Sequence, residues 1–262
     1  MHEVTQEQVI TCLKSIGILQ GDGLLIHSAV QFLGQPVGGI GMYLEAILAV
    51  IGHEGTVVVP TFSFSFAQNG RYDPQETPSE GMGAFSEYVR QRPEARRTIH
   101  PMQSVAVIGH YADDLVERDT LSAFDPGSAF ERMLELDFKL LLLGAEARAT
   151  SMFHYCEQRA VVPYRYWKGF PGEIRTSNGW EKRTYRMFVR DLELKPELTI
   201  EPVVEYLKNK DQWHTKPLNY GNVTSCLLID FVAAVDHFLN ADPWSLVASY
   251  NERSVSPGES NS

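Results

Sequence analysis

Cysteine is scarce in this chain: Cys12, Cys156 and Cys226 are the only three in 262 residues. An odd, scattered set makes neither a disulfide framework nor a zinc site, so reduced thiols in a cytoplasm are expected. Positive charge is also short. Lys and Arg number 23 against 33 Asp and Glu, a formal net charge of -10. Phosphate backbones need a positive surface, so nucleic acid is not expected as a partner. A negative cleft would instead concentrate a cationic small molecule. No apolar run approaches the ~20 residues that cross a bilayer. The opening Met1-His-Glu-Val-Thr5 has neither the basic nor the apolar part of a secretory signal. A cytoplasmic protein with no membrane partner is therefore expected. Internal repeats, a Walker loop, a dinucleotide fingerprint and a His-x-x-x-His pair are all missing.

What the chain does have is a regular exchange of short apolar runs and amphipathic segments. Thr5 and Gln8 have the form of a capping box ahead of Val9, Ile10 and Leu13, so a first helix runs to about Ser15. Residues 24–26 read as a buried strand, 28–41 as a glycine-spotted loop, 43–51 as a helix, and 55–59 as a strand halted by Pro60. Residues 68–83 read as a surface loop, 84–92 as a helix, 104–108 as a strand, 127–136 as a helix, and 140–143 as a fourth parallel strand. This order predicts an α/β fold with a mostly parallel central sheet and flanking helices. From Pro163 the texture changes to alternating aromatic and basic residues, in 164–168 and 185–190, which predicts an antiparallel C-terminal portion. Helices near 201–208 and 228–239 close it. A single domain is expected, divided into parts at 1–160 and 161–250, with a frayed polar tail at 254–262.

The segment from Thr150 to Glu157 carries the chemistry. It follows the apolar run 140–143 and Gly144, and Thr150 or Ser151 can cap a short helix that must end before Pro163. On such a helix His154 and Glu157 stand at i and i+3 and share a face. Imidazole titrates near neutrality, and a carboxylate can hold its tautomer and stabilise the imidazolium. The plain reading of the same spacing is a solvated or structural pair. Thr150 and Ser151, with free amides at the helix start, could donate to a developing oxyanion; their plain reading is N-capping. Cys156, at i+2 from His154, falls on the other side of the helix, and buried cysteines commonly pack as hydrophobes, so a covalent route through this cysteine is the less favoured.

Several segments in order resemble the aminoglycoside 3-N-acetyltransferase family: His27-Ser-Ala29, Val37-Gly-Gly39, Gly55-Thr56 with Pro60-Thr61, Met82-Gly83, Ala95-Arg-Arg97, His100-Pro101 with Ser104, Gly127-Ser128, residues 141–144, and His154 with Glu157. The resemblance covers residues 20–170. It implies an α/β fold unrelated to the commoner acetyltransferase superfamily. The activity implied is transfer of an acetyl group from acetyl-coenzyme A, or another acyl-coenzyme A, to an amine of an amino sugar, without a metal. His154 would be the base and Glu157 its carboxylate, with Asp191 the second choice in family terms. Residues 1–160 would hold coenzyme A and 161–250 would face the acceptor. Ser28, Ala29, Gly38 and Gly39 follow the first strand, where open α/β sheets bind ligands, and with the resemblance they are expected to hold phosphate or pantetheine. Thr61, Arg97 and Ser104 complete that expected set, with His100 lining the same cleft. The stretch 155–173 also looks like a branch of the family that acylates nucleotide-linked amino sugars in polysaccharide synthesis. That resemblance implies that Tyr164, Arg165 and Lys168 meet the acceptor, the basic pair and Arg190 suiting a diphosphate.

Two other classes stand beside the transferase. A metal-dependent hydrolase would use His27, His100, His154 and Glu157 as ligands; a non-catalytic binder would only sequester an aminated ligand. The oligomeric state is left open, with a homodimer the alternative to a monomer.

Overall fold

A computed structural model describes residues 2–248; the tail at 254–262 lies outside the described residues. The expected capping box forms: the Thr5 hydroxyl accepts from the Gln8 amide, and the Gln8 side chain accepts from the Thr5 amide at 2.8 Å. It starts α1 (Gln6–Ser15), behind the short β1 (Glu3–Val4). The chain continues through β2 (Gly23–Ser28), β3 (Gln35–Pro36), α2 (Gly41–Ile51) and β4 (Thr56–Pro60). The stretch expected to be a surface loop instead supplies the end of α3 (Phe66–Asn69) and β5 (Arg71–Tyr72), where Tyr72 is wholly buried. Then come α4 (Gly83–Arg90), β6 (Arg96–Arg97), β7 (Val105–Gly109), α5 (Ala112–Val116), α6 (Ala129–Glu135) and β8 (Lys139–Leu143). The remainder is α7 (Met152–Arg159), β9 (Arg165–Thr176), β10 (Gly179–Arg190), α8 (Glu201–Asn209), β11 (His214–Leu218), β12 (Gly221–Leu227) and α9 (Leu228–Ala241).

The central sheet has the order β11-β12-β8-β2-β4-β7-β6. Strands β8, β2 and β4 are parallel neighbours at its middle. The flanking pairs are antiparallel, which leaves five of the seven strands pointing one way and β7 and β12 against them. The strand at 104–108, expected to be parallel, is thus a correction. The chain leaving β4 returns in β6, and a turn at Pro101–Gln103 folds β7 back into the gap between them. The alternating segments 164–168 and 185–190 do pair as expected: β9 and β10 form a long hairpin in which Lys168 faces Met187 and Arg165 faces Arg190.

Period-two alternation sorts the sheet's side chains onto two cores. Leu24, Ile26, Val57, Val59, Leu141 and Leu143 face α1, α2 and α4, while Leu25, Val58, Leu140 and Leu142 face α6, α7 and α9. Each such leucine or valine contributes about 1.5–3 kcal/mol on burial, so the register of β2 is strongly held. That register places His27 on the same face as Leu25, toward the start of α7. No helix among the described residues is long and apolar enough to cross a membrane.

Candidate functional site

Two clefts meet at the carboxyl ends of β2 and β8, the end where open α/β sheets bind ligands. The first, about 610 Å³, is lined by Thr150, His154, Arg190 and Lys195 among others; the second, about 790 Å³, by Ser28, Ala29, Gly144 and Lys208 among others. Ala147 and Arg148 line both. Gly144 permits the junction: its φ is +76°, and a Cβ there would stand 2.6 Å from the Ala29 carbonyl oxygen.

At the first cleft the helical spacing is realised. His154 Nδ1 lies 2.6 Å from Glu157 Oε2, with the imidazole 37% exposed and the carboxylate fully buried. A nitrogen that close to a carboxylate oxygen donates, so a proton sits on Nδ1. Burial works against an ionised Glu157, but the hydrogen bond from His154, its charge and the guanidinium of Arg165 outweigh it and hold the carboxyl below its ordinary range. Arg165 Nη2 is 2.8 Å from the same oxygen. His27 sits beneath the start of α7: its Nε2 accepts from the Ser151 amide at 3.2 Å, and burial, aided by the nearby His154, depresses its pKa to about 3. It is a neutral, fixed acceptor.

Other expected site residues are placed differently. Asp191 does not serve His154; its carboxylate accepts from the Glu193 amide at 2.9 Å, closing its own turn. Ser151 makes no side-chain cap. Neither amide expected at the oxyanion is free, since Ser151 donates to His27 and Thr150 to the Ala147 carbonyl. The short helical turn before α7 consumes the Thr150 amide, and the buried His27 ring the Ser151 amide. Thr150 keeps one resource, a buried Oγ1 without a partner, on the first cleft. Arg165 is withdrawn from any acceptor by Glu157, and Tyr164 is buried with its ring 5.3 Å from that of Trp244. Lys168 is exposed on β9, its ammonium 5.4 Å from the Phe170 ring centroid, and lines neither cleft.

Of the expected coenzyme residues, Ser28 and Ala29 line the second cleft. Gly38 and Gly39, both at positive φ, stand exposed before α2 and line neither cleft. Arg97 is engaged within the fold. Its Nε donates to Thr61 Oγ1 at 2.9 Å and Ser104 Oγ at 3.1 Å, Nη1 to the Thr77 carbonyl at 2.5 Å, and Nη2 to the Thr61 carbonyl and Ser63 Oγ. Thr61 and Ser104 are wholly buried, so all three residues are spent on one internal network. His100 is buried, and its Nδ1 accepts from the Gln103 amide at 3.2 Å. Among the described residues no three His, Cys, Asp or Glu converge to hold a metal, so the hydrolase's ligand set is not assembled. Cys156 is buried in the core behind His154, and burial raises its thiol well above the ordinary range. Arg148, in the short helical turn before α7, and Lys195 and Thr199, on an irregular segment, line the first cleft and carried no sequence signal.

A histidine aimed by a buried carboxylate, at the mouth of a cleft above a parallel sheet, is equipment for proton transfer. Residues 25–240 match the aminoglycoside 3-N-acetyltransferase family, and the chain belongs to that family of acyltransferases. It is 30% identical over 185 residues to an aminoglycoside N(3)-acetyltransferase III from Salmonella sp., a match spanning 64% of each chain. It is 24% identical over 266 residues to the prophage-derived acetyltransferase-like protein YokD of Bacillus subtilis, covering 91% of this chain and 93% of that one. Among solved structures, a mutant of aminoglycoside acetyltransferase AAC(3)-IVa in complex with a gentamicin superposes with a TM-score of 0.79 at 25% identity, covering 95% of this chain and 93% of that one. The AAC-IIIb complex with coenzyme A gives 0.80 at 19% identity, covering 92% and 97%.

Proposed function

We propose that the chain transfers an acetyl group from acetyl-coenzyme A to an amine of an amino sugar, with His154 as general base in a ternary complex. The observation that carries this is the His154–Glu157 contact of 2.6 Å at the first cleft, in a chain of this family. An alkyl ammonium with a pKa near ~10 cannot attack a thioester until it loses a proton. In the proposed reaction the amine nitrogen bonds to the acetyl carbon, its proton passes to His154 Nε2, and the carbon–sulfur bond breaks to release the coenzyme thiolate, which is then protonated. Glu157 holds the ring in place through Nδ1. The Thr150 hydroxyl is the candidate donor to the thioester oxygen. Coenzyme A lies in the second cleft, near Ser28 and Ala29, with Arg148 and Lys208 to meet its phosphates. The buried free cysteines fit a cytoplasmic setting.

One observation favours a particular acceptor. Arg190 and Lys195 line the His154 cleft, against Glu197 of opposite sign, and Arg148, paired with Glu146 at 2.6 Å, stands at the border with the second cleft. Such a lining suits an amino sugar carrying a nucleotide diphosphate better than a polycationic aminoglycoside, despite the chain's net charge of -10.

Release of free thiol from acetyl-coenzyme A, measured with aminoglycosides and separately with nucleotide-linked amino sugars, tests both statements. Release with either panel supports the transferase; release only with the second assigns the nucleotide-linked acceptor. Silence with both, with coenzyme binding intact, overturns the reading.

A further inference from the structure

The His154–Glu157 pair has a third member that the reaction above does not use. Arg165 opens β9, and its guanidinium crosses to α7, with the side chain only 8% exposed against a Glu157 that is fully buried. Nη1 donates to the Phe188 carbonyl at 3.0 Å, tying the group to β10. Nη2 reaches Glu157 Oε2 at 2.8 Å and also stands 3.1 Å from His154 Nδ1. With the proton on Nδ1 both nitrogens are donors, so they converge on one carboxylate oxygen rather than bond to each other.

The charge balance of the three groups then decides which form of the imidazole is favoured. With Arg165 present, a neutral ring leaves Glu157 and Arg165 cancelling each other, whereas an imidazolium leaves one uncompensated positive charge beside a guanidinium. Without Arg165 the order reverses: a neutral ring leaves a lone buried carboxylate, and the imidazolium neutralises it. Resting on the reading of His154 as base, we propose that Arg165 is a positioning residue that keeps the His154 ring neutral and able to accept a proton. It lets Glu157 orient the ring without drawing a proton onto it. The other titratable or charged groups around the pair are His27 from β2, Tyr164, whose phenol interacts with Glu157, and Arg148, Arg190, Lys195 and Glu197, which line the cleft. His27 is neutral, and the cleft residues are common to every variant compared.

The experiment compares Arg165→Gln and Arg165→Lys by NMR titration of the His154 ring in the resting protein, alongside the pH dependence of kcat/KM. In Arg165→Gln the ring should titrate about 1–2 units higher. The acidic limb of kcat/KM should move up with it, and turnover should recover on the alkaline side. Arg165→Lys, which keeps the charge, should stay close to the natural protein. An unmoved ring midpoint in Arg165→Gln, with activity lowered evenly at all pH, would overturn the proposal and leave Arg165 a purely structural tie. If Arg165→Gln does not fold, Glu157→Gln/Arg165→Gln removes both buried charges together. Its ring should titrate higher than in Glu157→Gln alone, and equal midpoints would overturn the proposal. The ring titration needs no turnover, so a failed transferase assay and a failed proton-affinity effect are told apart.

Discussion

Arg97 and Arg165 each lie at the end of a strand, and each reads from the sequence as a group that could meet phosphate or diphosphate. Their surroundings differ in kind. Arg97 is held by neutral oxygens alone, the hydroxyls of Thr61, Ser63 and Ser104 and the carbonyls of Thr61, Pro74 and Thr77. It pins the loop after β4 and the 74–77 turn to β6, and its guanidinium lies 4.9 Å from the Tyr72 ring centroid. Arg165 is paired with a carboxylate that also holds an imidazole on a cleft. The first arrangement can only stabilise; the second can change the proton affinity of a neighbour. Burial of an arginine therefore says little about its role until its acceptors are known.

The largest effect is expected at the cluster around Arg165. His154→Ala should lower turnover by about 10²–10⁴-fold, the usual worth of a general base, while coenzyme A binding by calorimetry stays within a few fold. Near-normal thiol release from His154→Ala would remove it as the base. The cluster around Arg97 should answer in the opposite sense. Arg97→Met strands several buried hydroxyls and carbonyls, and hydrogen bonds to a charged group are worth about 1.5–3 kcal/mol each, so urea unfolding should show a loss of at least ~3 kcal/mol. Turnover of the folded fraction should be little changed; a selective loss of coenzyme affinity would instead return Arg97 to the binding site.

A pH dependence separates the clusters more finely. His27, at about 3, and His100, at about 4, have pKa values depressed by burial below the ordinary 6.5. Below that value the unfolded chain binds the proton that the folded one refuses. Stability should therefore be full above pH 6.5 and fall by up to ~1.4 kcal/mol per unit for each group as pH drops toward 4. His27→Gln should flatten its share of that slope in urea unfolding at stepped pH, and an unchanged slope would show that His27 is not buried neutral. The smallest expected effect is at Cys156. Cys156→Ala should cost about 1–2 kcal/mol of stability, with turnover within about threefold and no covalent acyl-enzyme by mass spectrometry. Loss of turnover there would restore the acyl-cysteine route.

Legibility followed the range of the interactions concerned. The α1 capping box, the buried strands β2, β4 and β8, the β9–β10 hairpin, and the His154–Glu157 pair all depend on residues a few positions apart or on local alternation. Each could be read from neighbours. The reversal of β7 could not, because an apolar strand looks alike in either direction and only the turn at Pro101–Gln103 aims it. Nor could the fate of the amides of Thr150 and Ser151, which depends in part on His27, distant in sequence but next to them in the fold.

That α7 presents an imidazole and a carboxylate on one face was written in the chain, since 3.6 residues per turn makes i and i+3 neighbours wherever the helix lies. The two-sided core of the sheet was written there as well, since alternation along a strand needs no partner to be encoded. Folding was needed to settle which arginine met a carboxylate and which met neutral oxygens, which helix amides stayed free, and which basic residues reached a cleft. Those outcomes depend on electrostatic and hydrogen-bond partners brought together by the packing of distant elements. A charge's effect rests on its distance to its partner and on the dielectric around both, and neither quantity exists until the chain has folded.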